Sequence, residues 1–236
     1  FPFEADVYRE AGANVTFVGH PLLDIVKPSM HKEEAYAYFQ ADPNRPLVLL
    51  MPGSRGQEVS QLLPVMLAAC QKIREKVPNC QFFLPLASTI SREMLQNIID
   101  QFGIPVTVSA GKNYDLMQIA DVAIAASGTA TLETSLLNVP TVIIYKVNPI
   151  TYFLGKLLVK IPHIGLPNII AGRQIVPELL QSAVTPDNIA AAALPLLTDP
   201  AARRQVLKDL AGVRAKLGEA GAVSRVAEVI LEVAQS

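Results

Sequence analysis

Short apolar runs alternate with helical patterns between Leu47 and Tyr145, and this alternation most limits the fold that the chain can adopt. The runs LVLLM and VAIAA are apolar throughout, whereas a strand with one face in water would alternate apolar and polar residues. Parallel strands joined by helices form a sheet that is covered on both faces. The sequence therefore predicts an α/β fold with a doubly wound parallel sheet. Its strands are expected at Leu47–Met51, Gln81–Leu86, Pro105–Ser109, Val122–Ala126 and Thr141–Tyr145.

Helical patterns fill most of the remaining chain. In the sheet region, helices are expected at Lys32–Gln40, Glu58–Lys76, Ser91–Phe102, Asn113–Asp121 and Ser127–Leu137. After Tyr145 the pattern becomes mostly helical, and helices are expected at Thr151–Lys160, Pro177–Gln181, Pro186–Leu197, Ala201–Leu217 and Ala222–Ala234. A further short strand is expected at Val15–Gly19.

Composition narrows the class of protein. The 236-residue chain is 50% hydrophobic, with a mean hydropathy of +0.32, yet no run reaches the roughly 18 apolar residues that a membrane-spanning helix needs. The apolar surplus indicates a deep core, a partner surface or a membrane-facing patch. A net charge of −1 argues against a general electrostatic attraction to nucleic acid. Cys70 and Cys80 lack metal-ligand spacing, which indicates structural thiols in a reduced, cytosolic protein.

The first of two loops suited to anion binding is Pro52-Gly53-Ser54-Arg55, directly after LVLLM. Ligands of an open parallel sheet bind beyond the carboxyl ends of its strands. Gly53 permits a close approach of the backbone, and the Arg55 guanidinium offers a planar set of donors for phosphate. The alternative is a simple connection in which Arg55 makes a surface salt bridge.

The second loop is Ser127-Gly128-Thr129, which follows VAIAA and precedes a helix. A helix N terminus has free N–H groups and a partial positive charge, so a diphosphate could bind there. Glu133 lies one turn further along, where it could accept hydrogen bonds from a ribose. The alternative is an ordinary N-cap at Ser127 or Thr129 with a nearby Glu that favours the dipole. Two such loops at one sheet edge favour anion binding.

Other chemistry finds little support in the sequence. There is no Walker A sequence, no G-x-G-x-x-G, no G-x-S-x-G elbow and no His/Cys cluster, so neither a metal nor a cofactor is expected. The segment Asn148–Lys160 has aromatic, leucine and lysine residues and could lie on a membrane surface through Tyr152, Phe153 and Leu154. A helix that covers the core, with its lysines reaching to solvent, is the favoured alternative.

Several motifs together resemble the lipid-A-disaccharide synthase family. They are FPFE, FVGHPLLD, LLMPGSRGQEV, ASGTATLE, PTVIIYK, LPNIIAGR and VPELLQ, in the order expected of that family, from Phe1 essentially to the C-terminal helix. The resemblance implies one half of a GT-B fold, in which two Rossmann-like domains face each other across a cleft. It assigns residues 1–20 to the crossover between the halves, 21–185 to a UDP-sugar-binding Rossmann-like domain and 186–236 to C-terminal helices.

The resemblance also implies an activity. The family transfers a diacylated glucosamine from its UDP-linked donor to diacylglucosamine 1-phosphate, which forms the β-1,6-linked lipid A disaccharide and releases UDP. The reaction inverts the anomeric centre and uses no metal. The chain resembles the donor-binding half, and the N-terminal acceptor domain, which by resemblance carries the acid/base carboxylate, is expected to be missing. The chain alone is therefore expected to bind UDP weakly and to turn over little or no substrate.

The site residues carried over by motif overlap with those chosen from the loops. Arg55 is given a catalytic role because it would neutralise the leaving diphosphate. The residues expected to bind UDP and the sugar are Gly53, Ser54, Arg55, Ser127, Gly128, Thr129, Glu133, Asn168 and Gln181. Asn168 and Gln181 enter only through the motifs LPN and PELLQ.

Expected partners are the UDP-linked diacylglucosamine, the lipid acceptor, the N-terminal domain and a second copy of the chain, and no nucleic acid. The family implies a cytoplasmic protein with peripheral contact at the cytoplasmic face of the inner membrane. Two alternatives remain open. One is another UDP-sugar GT-B protein, such as a MurG-like transferase or an epimerase, against which LPN and VPELLQ argue. The other is a non-catalytic nucleotide-binding or dimerisation module.

Overall fold

A computed structural model describes residues 1–147 and 162–235. The strands are β1 Leu47–Met51, β2 Gln81–Leu86, β3 Thr107–Ala110, β4 Val122–Ala126, β5 Thr141–Tyr145 and β6 Glu178–Leu180. The helices are α1 Pro2–Glu10, α2 Leu22–Ile25, α3 Lys32–Phe39, α4 Gly56–Lys76, α5 Arg92–Ile99, α6 Asn113–Met117, α7 Thr129–Leu136, α8 Leu166–Ala171, α9 Pro186–Thr198, α10 Pro200–Lys216 and α11 Ala222–Gln235. A 3₁₀ turn spans Gln181–Ala183.

The six strands form one parallel sheet in the order β3-β2-β1-β4-β5-β6. In the register of the two central neighbours, Val48 pairs with Val122 and Met51 with Ala125. The strand order reverses between β1 and β4, and a crevice for a ligand forms at such a reversal, beyond the carboxyl ends of the strands. The predicted doubly wound parallel sheet is confirmed.

Both faces of the sheet are buried, as the continuous apolar strands predict. Along β1, Val48 and Leu50 join a core with α4, α5 and α9, whereas Leu47 and Leu49 join a core with α3 and α6 on the opposite face. A third apolar cluster joins Ile143 of β5 to α7, α8 and α10. The strands β1 and β4, which lead into the two loops, are therefore stabilised by hydrophobic burial on both faces.

Two sequence predictions of secondary structure are wrong. Pro177–Gln181 was expected to be a helix, but Glu178–Leu180 forms strand β6, because Leu179 pairs with Ile144 at the edge of the sheet. Val15–Gly19 was expected to be a strand, but it is irregular chain. Its Val18 carbonyl accepts a hydrogen bond of 2.8 Å from Arg225 Nε of α11 instead of a strand partner.

Smaller differences concern the lengths of elements. The helix expected to continue to Phe102 ends at Ile99, and turns extend from there to Gly103. The helix expected over Asn113–Asp121 ends at Met117. The helix expected at Thr151–Lys160, together with the proposed membrane contact at Tyr152–Leu154, lies outside the described residues. Among the helices that the structure describes, none has the length and apolar character needed to cross a membrane.

The C-terminal helices differ in how they attach to the rest of the molecule. Ile189 and Ala193 of α9 are fully buried in the same core as α4 and the sheet. In contrast, α11 buries only Ala222, and Asp24 fixes its start by accepting from the N–H groups of Gly221 and Ala222 at 2.6 and 3.0 Å. The division into residues 21–185 and 186–236 stays a prediction.

The two cysteines are unpaired and buried, one in α4 and one before β2. Burial raises the pKa of the Cys70 thiol well above its usual range and that of Cys80 to about 11. Both thiols therefore have the inert, structural character that the sequence predicts.

Candidate functional site

The two loops singled out in the sequence meet at the reversal of strand order. They border a cavity of about 350 Å³ beyond the carboxyl ends of β1 and β4. Its wall includes Pro52, Gly53, Ser54, Arg55, Glu58, Ser127, Gly128, Thr129, Ala130 and Glu133. The sheet therefore brings together residues that lie more than 70 positions apart in the chain.

The shape of the loop after β1 is set by a glycine and by a hydrogen bond from the loop that follows β2. Gly53 has φ +108°, a conformation that side-chain-bearing residues rarely adopt. Thr89 Oγ1 donates to the Ser54 carbonyl, which fixes the orientation of that peptide. Arg55 is the N-cap residue of α4, and 83% of its side chain is exposed. Its guanidinium lines the cavity and forms an ion pair with Glu58 at 3.1 Å, which is the surface salt bridge considered as the alternative in the sequence.

The loop after β4 delivers the start of α7 to the same cavity. Ser127 N donates to the Ile144 carbonyl at 3.0 Å, so the strand pairing extends into the loop. Gly128 is the N-cap residue, and no side chain within 1–147 or 162–235 caps the helix. The ordinary capping role considered for Ser127 and Thr129 is therefore absent, because Ser127 Oγ instead donates to the Ile164 carbonyl at 3.2 Å. The uncapped start of α7 faces the cavity with its partial positive charge.

Glu133 lies one turn into α7, at the boundary between this cavity and a neighbouring one of about 430 Å³. The second cavity is lined by Lys27, Ser29, Lys112, Asn113, Tyr114, Asp115 and Glu133. Burial raises the pKa of the Glu133 carboxyl, and the hydrogen bond from the Tyr114 hydroxyl, at 3.2 Å, opposes that rise in part. A half-buried carboxylate that accepts from one donor in the described part of the chain has acceptor capacity left for a ligand.

Asn168 lies away from the cavity wall, and its expected ligand contact stays a prediction. It is fully buried and does not line the cavity. Its Nδ2 donates to the Val176 carbonyl and to Glu178 Oε1, and its Oδ1 accepts from Ile175 N and Val176 N, at 2.7 to 3.0 Å. These bonds use the whole amide, so the structure gives Asn168 a bracing role between α8 and β6.

Gln181 also lies away from the cavity wall. It follows β6 with φ +49°, and its Oε1 accepts from Val147 N at 3.3 Å. Its Nε2 is buried and has no hydrogen-bond partner among the described residues. A strained backbone with an orphaned amide is typical of functional positions, and the proposed ligand contact of Gln181 stays a prediction.

Sequence reasoning missed three side chains that shape the site. Glu58 could have been found, since it follows Arg55 by three residues in the first turn of α4. Tyr114 and Glu178 carried no signal, because their contacts depend on the tertiary fold. Glu178 Oε2 accepts from Ile164 N at 3.0 Å, and the Ile164 carbonyl accepts from Ser127 Oγ, so β6 is linked to the loop after β4.

In the described parts of the chain, no group of three His, Cys, Asp or Glu residues is arranged to hold a metal ion.

The parallel sheet, with a glycine-bearing loop and a helix start at its reversal point, defines a Rossmann-like α/β domain of the kind found in GT-B proteins. The crystal structure of WaaG, a glycosyltransferase involved in lipopolysaccharide biosynthesis, matches 87% of this chain and 53% of its own, with a TM-score of 0.58 and 13% identity. The UDP-GlcNAc 2-epimerase from Neisseria meningitidis, solved with UDP-GlcNAc bound, matches 91% of this chain and 54% of its own, with a TM-score of 0.60 and 15% identity. These similarities concern the fold.

The profile of the LpxB family, lipid-A-disaccharide synthetase, matches residues 1–232, and the chain belongs to this family. The lipid-A-disaccharide synthase of Geobacter sulfurreducens is 47% identical over 98% of this chain and 60% of its own length. That of Nitrosococcus oceani is 42% identical over 97% of this chain and 59% of its own. The chain thus spans about 60% of the length of the curated relatives it matches.

Proposed function

We propose that this chain is the donor-binding part of a lipid-A-disaccharide synthase. It binds a UDP-linked diacylglucosamine, whose sugar is transferred to diacylglucosamine 1-phosphate to give the β-1,6-linked lipid A disaccharide and UDP. The observation that carries the proposal is the single cavity at the strand reversal, which the loops after β1 and β4 and Glu133 line together. Family membership supports the choice of substrates.

The diphosphate is proposed to lie between Arg55 and the start of α7. The Arg55 guanidinium would approach from the mouth, while the N–H groups around Thr129 would face the phosphate oxygens from the other wall. Negative charge grows on the leaving UDP as the sugar departs, so donors fixed in a partly enclosed site stabilise the transition state. Arg55 is therefore the proposed catalytic residue on this chain, and no metal is assigned a role.

The ribose is proposed to bind at Glu133. Its carboxylate lies one helical turn beyond Thr129, which suits a nucleoside that extends from the diphosphate into the neighbouring cavity. Ribose hydroxyls would donate to the carboxylate and compensate in part for its desolvation. Gly53, Ser54, Ser127 and Gly128 would supply close backbone approach and N–H donors.

Inversion requires a base that deprotonates the attacking hydroxyl of the acceptor. By family resemblance this carboxylate belongs to the part of the relatives that this chain does not span. We therefore propose that the chain alone binds UDP weakly and turns over little substrate, and that full activity needs an N-terminal acceptor domain. Robust disaccharide synthesis by the purified chain would contradict the proposed low turnover and the proposed need for an N-terminal acceptor domain.

The test of the binding site is calorimetric titration of UDP against ADP, CDP and GDP. Wild type should prefer UDP, and Arg55→Ala should weaken UDP binding by about 1.5–3 kcal/mol, the range for a hydrogen bond to a charged group. Arg204→Ala is the matched control, since Arg204 is exposed on α10 and does not line the cavity. It should bind UDP as wild type does. Absence of any nucleotide binding would favour a non-catalytic assembly module.

The finer partners are proposals of the same kind. A lipid acceptor, an N-terminal domain, a second copy of the chain and the cytoplasmic face of the inner membrane follow from the family and from the apolar content. The first two partners are tested by mixing the chain with a separately produced N-terminal domain and assaying transfer. The same assay separates this enzyme from other UDP-sugar proteins.

For the membrane, Phe153→Ser with Leu157→Ser should reduce co-sedimentation with liposomes without unfolding, and a much lower melting temperature would indicate a core helix instead.

A further inference from the structure

Glu58, in the first turn of α4, reaches back over the loop that precedes its own helix. Its Oε2 accepts a hydrogen bond from Ser54 N at 3.2 Å, and its Oε1 accepts from Arg55 Nη1 at 3.1 Å. Both donors line the cavity, and both belong to the loop proposed to receive the diphosphate. One carboxylate therefore occupies two donors that an anionic ligand would use.

Gly53 shows how closely this carboxylate fits the loop. A Cβ atom built on Gly53 would lie 2.2 Å from Glu58 Oε2, a distance that no real contact allows. The glycine that permits an anion to approach the backbone is thus in contact with an anion from the protein itself. The positive φ of Gly53 and the contact from Thr89 to the Ser54 carbonyl hold the loop in the shape that accepts it.

A glutamate at this helical position has an ordinary explanation, since a negative charge near a helix N terminus stabilises the helix. A glutamate at the third helical position also reaches back to a backbone N–H before the helix in a capping box, which resembles the bond from Ser54 N. Capping does not account for the second oxygen on the Arg55 side chain, nor for the close fit to Gly53. An exposed pair such as Arg55–Glu58 contributes little to stability.

We propose that Glu58 is a self-ligand of the diphosphate loop: it occupies Ser54 N–H and Arg55 when the site is empty, gives them up to the incoming diphosphate, and returns as the product leaves. This inference rests on the proposed function and adds a positioning residue to it. Because carboxylate and diphosphate are both negative, they compete for the same donors. Glu58 thereby weakens the binding of UDP, speeds its release, and keeps the loop ordered between turnovers.

The decisive variant is Glu58→Gln, which keeps the size and an acceptor oxygen but removes the charge. We expect UDP to bind roughly ten-fold more tightly to it than to wild type, through slower dissociation. Glu75→Gln is the matched control, because it removes the same charge from an exposed position at the far end of α4. The control should leave UDP affinity unchanged. In an Arg55→Ala background the gain from Glu58→Gln should shrink, since one of the contested donors is gone.

A merely structural role predicts the opposite sign, because loss of a brace disorders the loop and weakens UDP binding. If wild type binds UDP, unchanged or weaker UDP binding by Glu58→Gln would therefore overturn the self-ligand. Inorganic pyrophosphate, as a second probe, separates this inference from the proposed function. If pyrophosphate binds more tightly to Glu58→Gln while UDP binds to neither protein, the self-ligand stands and the UDP site is wrong. If Glu58→Gln gains nothing toward pyrophosphate, the self-ligand is wrong.

Discussion

Replacement of Glu133 by Gln separates the role of this residue in binding from its effect on stability. The carboxylate is partly buried, and among the described residues only Tyr114 donates a hydrogen bond to it, at 3.2 Å. As the proposed ribose ligand, it would accept from two hydroxyls. Gln keeps the shape, but its amide nitrogen cannot accept, so one bond to a charged group is lost.

Glu133→Gln should weaken the binding of UDP but should not lower the stability of the protein at neutral pH. Loss of one charged hydrogen bond costs about 1.5–3 kcal/mol, which is roughly a ten- to hundred-fold weaker binding of UDP. In the folded protein, burial raises the pKa of Glu133 above its value in the unfolded chain. The pKa of an unfolded-state glutamate is about 4.3, and the stability that this group contributes is fully present below that pH. The contribution is lost as the pH rises through the raised folded-state pKa. Glu133→Gln removes this loss, so at neutral pH it should melt no lower than wild type.

The assay combines UDP calorimetry with melting curves between pH 4 and pH 8, the range around the ordinary glutamate pKa. Tyr114→Phe is the matched control: it removes the protein donor, keeps the carboxylate, and should change UDP affinity much less than Glu133→Gln. The reasoning is refuted if Glu133→Gln binds UDP like wild type, or if it melts far lower at neutral pH. The second result would mean that the ionised carboxylate supports the fold.

Three further predictions concern the surroundings of the site. Asn168→Ala should lower the free energy of unfolding by about 2–4 kcal/mol in urea, because it orphans buried backbone groups; a stable variant that loses UDP binding would instead favour a ligand role. Asp24→Ala should speed hydrogen exchange over 222–235 by removing a cap of about 1 kcal/mol, with the core as internal reference. Cys70 and Cys80 should react with a thiol reagent only at the rate of unfolding, and rapid labelling of native protein would contradict their burial.

The central sheet was predictable because β1 and β4 carry their signal locally, as continuous apolar runs between loops. Strand β6 was not predictable in this way, since its identity comes from pairing with β5 rather than from its own sequence. A five-residue stretch such as Pro177–Gln181 has no decisive periodicity. Val15–Gly19 is the reverse case, because its apolar residues suit a strand but it forms none. Its Val18 carbonyl instead accepts a hydrogen bond from Arg225, which lies 207 positions later in the chain.

The residues of the candidate site also differ in whether the sequence alone could identify them. Arg55, Ser127–Thr129 and Glu133 follow predicted strands, and the topology of a parallel sheet brings such positions together. The contacts of Tyr114 and Glu178 depend on the tertiary fold, which a sequence pattern does not contain, whereas Glu58 could have been found from its spacing to Arg55. Asn168 entered only by motif, and a motif marks a position without separating a ligand contact from a buried brace.

The most direct test of the central claim is a crystal structure of this chain with UDP bound. The account predicts that the diphosphate lies between Arg55 and the N–H groups at the start of α7, that the ribose hydroxyls contact Glu133, and that Glu58 has moved off Ser54 N. UDP bound outside the cavity between the loops after β1 and β4, or a ribose directed away from Glu133, would contradict it.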